Sequence, residues 1–125
     1  MKNKQLNVLV VDDEAVMRSL FTDLLSERGI SVSVAKNGKE AVELVKKSFF
    51  DIAILDMHMP VMNGIETLRA IKELSPKTWI VMTDSFPDVF VDEALKEGAI
   101  TCIHKPFDIQ EVIDIVNKAI ADKER

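Results

Sequence analysis

At 125 residues, 47% of them apolar, the chain has the length of one ordinary domain and enough apolar surface for a core without staples. A net charge of −5 with no dense run of lysine and arginine argues against nucleic acid as a direct partner, and the single cysteine, Cys102, excludes an internal disulfide and suits a reducing compartment. The N-terminal apolar run is too short for a signal peptide and breaks at Asp12-Asp13, and no stretch reaches the length of a membrane span, so a cytoplasmic protein is expected.

Apolar runs and amphipathic stretches alternate along the chain. "NVLVV" (7–11) reads as a buried strand, and residues 14–28 carry Met17, Leu20, Phe21, Leu24 and Leu25 at helical spacing, closed by Gly29. "SVSVA" (31–35) alternates as a strand with one more exposed face. "NG" at 37–38 turns the chain into a helix over about 39–47. "DIAIL" (51–55) is the third strand, and 64–74 is a helix stopped by Ser75-Pro76. "WIVM" (79–82) is the fourth strand. Pro87 is placed to open a helix that runs up to Gly98, "TCIH" (101–104) is a short fifth strand, and Asp108 to Glu111 fits a capping box ahead of the last helix. Five strands alternating with five helices demand βα units and a parallel sheet covered on both faces. The first, third and fourth strands are apolar throughout and are therefore expected to be central.

The polar residues collect where these runs stop: Asp12-Asp13-Glu14 after the first strand, Asp56 after the third, Thr83-Asp84-Ser85 after the fourth and His104-Lys105-Pro106 after the fifth. In an open parallel sheet that edge is where ligands bind, so Asp12, Asp13, Asp56, Thr83 and Lys105 are expected to converge. Helix capping accounts for any one of these positions, and Glu14 reads as a first-turn acid beside the helix dipole. It does not account for the set, because Asp56 lies about eight residues ahead of the next predicted helix and a lysine is disfavoured at a helix N-terminus. Carboxylates about 5 Å apart repel by roughly 3 kcal/mol per pair at an effective dielectric near 20. Lys105 and a divalent cation would balance them; hard oxygens with open positions suit Mg²⁺. Lysine, Mg²⁺ and the Thr83 hydroxyl then form a site for phosphoryl oxygens, which leaves Asp56 as the candidate nucleophile.

"VLVVDDE", "AILDMHMPVMNGIE", "IVMTDS" and "GAITCIHKPFD" together resemble the receiver domains of bacterial two-component response regulators, over essentially the whole chain and in the family's order. The resemblance implies one receiver domain over 1–125, with a flavodoxin-like (βα)5 fold whose sheet order is 2-1-3-4-5. It implies Asp56 as phosphoacceptor, Asp13 as a direct Mg²⁺ ligand with Asp12 assisting partly through water, and the backbone carbonyl of His58 as a further ligand. Thr83 matches the switch hydroxyl, Lys105 the lysine that pairs with the phosphoryl group, and Lys105-Pro106 a peptide bond that is usually cis. The implied partners are a sensor histidine kinase or a histidine phosphotransfer protein, and a downstream relay protein. Such a domain promotes only its own phosphorylation and dephosphorylation and is not an enzyme on a separate substrate.

The sequence departs from the family pattern in three ways. Asp84 follows the switch threonine where a small residue is usual, and is read as pointing to solvent at the start of the next helix. Cys102 stands where the switch aromatic is expected. The chain stops soon after the last helix, in "ADKER", with no output domain. The last two fit a single-domain phosphorelay intermediate, of the kind found in the sporulation relay; an excised receiver of a longer regulator and a degenerate receiver used only for contact are the alternatives. An aspartate-nucleophile phosphatase fits less well, because His58 stands where that class needs a second aspartate. A flavodoxin-like binding module needs a phosphate loop where Asp12-Asp13-Glu14 stands.

Among smaller signals, His58 reads as a loop side chain that tunes water access, and Cys102 with His104 as a solvent-facing pair rather than a zinc site. Met59 is expected to pack inward, with loop packing the plain account of Met57 and Met62. Met17, Pro87, Pro106 and Phe107 are expected to form an exposed apolar patch that docks a helical partner.

Overall fold

The computed structural model describes residues 6–85 and 90–123. Its elements run β1 (Asn7–Val11), α1 (Ala15–Ser26), β2 (Ser31–Ala35), α2 (Gly38–Lys47), β3 (Ile52–Asp56), α3 (Gly64–Leu74), β4 (Trp79–Asp84), α4 (Phe90–Lys96), β5 (Ala99–His104) and α5 (Ile109–Lys123). The five strands form one parallel sheet of order β2-β1-β3-β4-β5. The strands with the longest apolar runs, β1, β3 and β4, are the central three, buried on both faces.

Strand alternation divides the core in two. Leu9, Val11, Ala53, Leu55, Ile80 and Met82 point to one face and meet α2, α3 and α4 through Ala41, Val45, Ile65, Leu68, Ile71 and Ala94. Val8, Val10, Ile52, Ile54, Val81 and Ile103 point to the other and meet α1 and α5 through Phe21, Leu25, Val112, Val116 and Ala119.

Local chemistry sets the helix ends. Asn37 caps α2 by accepting from Glu40 N at 2.8 Å, and Asn63 and Glu66 form a full capping box on α3. At the start of α5 Asp108 N donates to Glu111 Oε2 at 3.1 Å, as the predicted capping box requires, while Asp108 Oδ1 accepts from Gln110 N at 3.1 Å rather than from Glu111 N. Gly29, just beyond α1, adopts φ +75°, a left-handed turn open to glycine.

Two strands run further than expected. β4 continues to Asp84 because Thr83 pairs with Ile103 and Asp84 with His104, and β5 begins at Ala99 because Ala99 pairs with Ile80. Thr-Asp resembles a turn locally, but the neighbouring strand extends the ladder through it. The expected helix start at Pro87 and the terminal Glu124-Arg125 lie outside the described residues. Among the described residues no helix is long and apolar enough to cross a membrane.

Candidate functional site

Asp12 immediately follows β1, Asp56 ends β3, Thr83 lies near the end of β4 and Lys105 follows β5, all at one edge of the sheet. Asp12, Asp56 and Thr83 are buried, whereas Asp13 is exposed. Asp56 and Thr83 are register partners across β3 and β4. The carboxylate oxygens of Asp12, Asp13 and Asp56 lie within 4.8 Å of one another, as the convergence argument requires.

Lys105 reaches into this acidic cluster. Its Nζ donates to Asp12 Oδ2 at 3.1 Å and lies 3.8 Å from Asp56 Oδ2 and 3.7 Å from Glu14 Oε1. Asp12 Oδ1 accepts from Glu14 N at 2.9 Å, and Arg18 Nη1 donates to the Asp12 carbonyl at 2.8 Å. Glu14 therefore differs from its expected role: it occupies the N-cap of α1 with no side-chain cap, and its carboxylate is turned toward Lys105. Neither contact was legible in the sequence, since the Glu14 contact depends on how Lys105 after β5 lies beside α1 and the Arg18 contact on how α1 folds back over the end of β1.

The protein itself brings too little positive charge. Burial pushes the Asp56 carboxyl up to about 6; the neighbouring Asp12 adds to this, as does Asp13, while Lys105 and the His58 N–H pull it part of the way back. For Lys105, burial pulls the ammonium down, but its bond to Asp12 and the fields of Asp56 and Glu14 outweigh that, and the net shift is upward. The site thus has a carboxylate of raised basicity, a cation beside it and three hard oxygen donors.

The loop after Asp56 is held by the backbone. Met57 N donates to the Thr83 carbonyl at 2.8 Å, His58 N to Asp56 Oδ1 at 3.2 Å and Gly64 N to the Met57 carbonyl at 3.0 Å. A Cβ on Gly64 would sit 2.6 Å from the Asp56 carbonyl oxygen, so only glycine lets α3 start this close to the end of β3. Met57 and Met59 both face the core, which bears out the inward placement of Met59. The His58 side chain is exposed. The Lys105–Pro106 peptide is cis.

Three expectations are corrected. Asp84 does not point to solvent: it is fully buried at the end of β4, where its Oδ1 meets His104 Nδ1 at 2.7 Å and its Oδ2 meets Cys102 Sγ at 3.9 Å. Cys102 and His104 do share one side of β5, but that side faces Asp84, so Cys102 is only partly exposed and the two are not simply a solvent-facing pair. The expected apolar patch is also not formed as drawn. Phe107 stacks on Phe21 with ring centroids 5.3 Å apart, and both Phe107 and Met17 pack on the α1–α5 core. Pro106 is exposed and Pro87 lies outside the described residues.

The family model described as response regulator receiver domain matches residues 8–117. The chain is 39% identical over 113 residues to the chemotaxis protein CheY of Thermotoga maritima, covering 89% of this chain and 94% of that one. It is 33% identical over 112 residues to the sporulation initiation phosphotransferase F of Bacillus subtilis, covering 89% and 90%. A response regulator receiver domain protein from Clostridium thermocellum superposes with a TM-score of 0.88 at 30% identity, covering 95% and 97%. Longer transcriptional regulatory proteins match as well, and the chain spans 28% of their length. The chain belongs to the receiver domain family of two-component response regulators, and its role is that of a signalling receiver.

Proposed function

We propose that residues 1–125 act as a single receiver that takes a phosphoryl group from a phosphohistidine onto Asp56, in a Mg²⁺-dependent reaction, and relays it. The observation that carries this reading is the setting of the Asp56 carboxylate: buried at the end of a central strand, 3.8 Å from the Lys105 ammonium and within 4.8 Å of the Asp12 and Asp13 oxygens. The donor set fits Mg²⁺, because it consists of hard carboxylate oxygens and the exposed Asp13 leaves room for water ligands. Asp13, Asp56 and the His58 carbonyl would hold the ion, with Asp12 assisting partly through water. When bound, Mg²⁺ supplies charge neutralisation at the phosphoryl oxygens.

An Asp56 carboxylate oxygen forms the new O–P bond as the P–N bond of the donor breaks. The imidazole leaves as a neutral ring with its second nitrogen protonated. Lys105 pairs with the transferred oxygens, and the Thr83 hydroxyl donates to them. Asp56 is the only group modified, so the chain acts on itself rather than on a separate substrate, and a cytoplasmic setting belongs to the same reading.

The relay role is favoured by Cys102, which stands where an aromatic switch is expected, and by likeness to a sporulation phosphotransferase over nearly its full length. The partner would be a histidine kinase or phosphotransfer protein presenting a helix. Val16 and Leu20, 78% and 41% exposed and one turn apart on α1 directly after the acidic cluster, offer an apolar strip for it in place of the Met17–Phe107 patch.

Intact-mass measurement after incubation with acetyl phosphate and Mg²⁺ tests the site. One added phosphoryl is expected, and none in EDTA or in Asp56→Asn. If no adduct forms even with a histidine phosphodonor present, or if Asp56→Asn still accepts one, the reading is wrong.

A further inference from the structure

The cluster at the ends of β4 and β5 has a chemistry of its own. Strand register places Asp84 beside His104, and Met82 beside Cys102, so all three side chains lie on the sheet face that carries α2, α3 and α4. Cys102 Sγ, His104 Nδ1 and a carboxylate oxygen of Asp84 lie within 4.8 Å of one another. The set shares no residue with Asp12, Asp13 and Asp56.

A carboxylate with no exposure to solvent needs a counter-charge, and among the described residues Asp84 is met by an imidazole at 2.7 Å and a thiol at 3.9 Å. Thiolate, imidazole and carboxylate are three standard ligands of Zn²⁺, and three protein ligands with a fourth position open is a recurrent zinc arrangement. The charges also close: a thiolate, a carboxylate and a neutral imidazole around a divalent ion sum to zero. In a tetrahedral zinc site, metal–ligand lengths of about 2.0–2.3 Å set the ligand atoms roughly 3.3–3.7 Å apart. The observed 3.9 Å between sulfur and oxygen and 2.7 Å between nitrogen and oxygen therefore need shifts of about half an ångström. The His104 side chain is 55% exposed, which leaves an entry path. Mg²⁺ is excluded by the same donors, because it prefers oxygen ligands and avoids thiolate.

We propose that Asp84, Cys102 and His104 form a second metal site, selective for a thiophilic divalent ion of the Zn²⁺ class. Binding displaces the thiol proton of Cys102 to solvent and forms bonds from the metal to Cys102 Sγ, His104 Nδ1 and one Asp84 oxygen. The ion ties the end of β4 to the end of β5, one residue from Thr83 on one strand and one from Lys105 on the other.

The test is titration of the full chain with Zn²⁺ against a chromophoric chelator in saturating Mg²⁺, with Co²⁺ as a spectroscopic probe. One Zn²⁺ per chain is expected, and Co²⁺ should show a thiolate charge-transfer band. Cys102→Ser should abolish that band, and Cys102→Ser and His104→Gln should each weaken Zn²⁺ at least about tenfold. Both positions are partly or fully exposed, and circular dichroism checks that each variant is folded. Absence of stoichiometric Zn²⁺ binding, or an affinity unchanged in either variant, overturns the proposal.

Discussion

Two buried carboxylates, Asp12 and Asp84, close the same edge of the sheet, and each is met by a base from the end of β5. Lys105 reaches Asp12 at 3.1 Å, and His104 reaches Asp84 at 2.7 Å. The bases are sequence neighbours, yet they serve different clusters because consecutive residues at a strand end project to opposite sides. Lys105 is a permanent charge with a side chain only 12% exposed, held among hard oxygen donors; His104 is 55% exposed and shares its cluster with a sulfur. One strand terminus thus supplies counter-groups to two acidic clusters of different chemistry.

The strongest way to break this contrast is at the nucleophile. Asp56→Asn should abolish phosphoryl uptake altogether, by intact mass, while leaving the Cys102–His104 cluster able to bind Co²⁺. Next in size is the unequal importance of the two bases. In EDTA, Lys105→Met strands the buried Asp12 and should cost about 2–3 kcal/mol in urea unfolding. His104→Gln keeps a donor for Asp84 and should cost about 1 kcal/mol. Equal costs would mean that the two pairs are equivalent after all.

The acidic cluster should also resist its own ionisation. Because the folded-state value of Asp56 is raised from 3.8 to about 6, the folded protein binds the proton more tightly than the unfolded chain. The contribution of Asp56 is therefore neutral below pH 4, grows destabilising as pH rises from about 4 to about 6, and is constant above. Asp56→Asn in EDTA should stabilise the protein by up to about 3 kcal/mol at pH 8 and give no gain near pH 4. Mg²⁺ should shrink the difference.

On the α1 side, Val16→Ser with Leu20→Ser should slow transfer from a histidine phosphodonor about tenfold, while labelling by acetyl phosphate stays at the parent rate. The smallest effect is expected in the loop that holds the acidic end open. Val61 is 83% exposed with φ +71°, a left-handed conformation that costs a β-branched residue about 1 kcal/mol, and Val61→Gly should recover roughly that amount in thermal unfolding.

Much of the acidic site was legible because its signal is local. An apolar strand that stops on a carboxylate announces the edge at which it stops, and the alternation of βα units sends those ends to one side. The Asp84 cluster was half legible. Alternation placed Cys102 and His104 together, but Asp84 read as solvent-facing at the start of the next helix, since nothing in "IVMTDS" says that β5 continues beside it to His104. Phe107 was misjudged for a similar reason: a residue after Lys-Pro looks exposed until α1 supplies Phe21 as its stacking partner.

By itself the amino-acid sequence determined which segments are strands and helices, which three strands are buried on both faces, and which polar residues end them. These follow from periodicity and capping, which act over a few residues. The tertiary structure decided that Asp84 is buried, that Glu14 turns to Lys105, and that His104 and Lys105 serve separate clusters. Those outcomes depend on strand register and on helices packed from distant parts of the chain, and a buried charge takes its partner from whichever element the topology lays beside it.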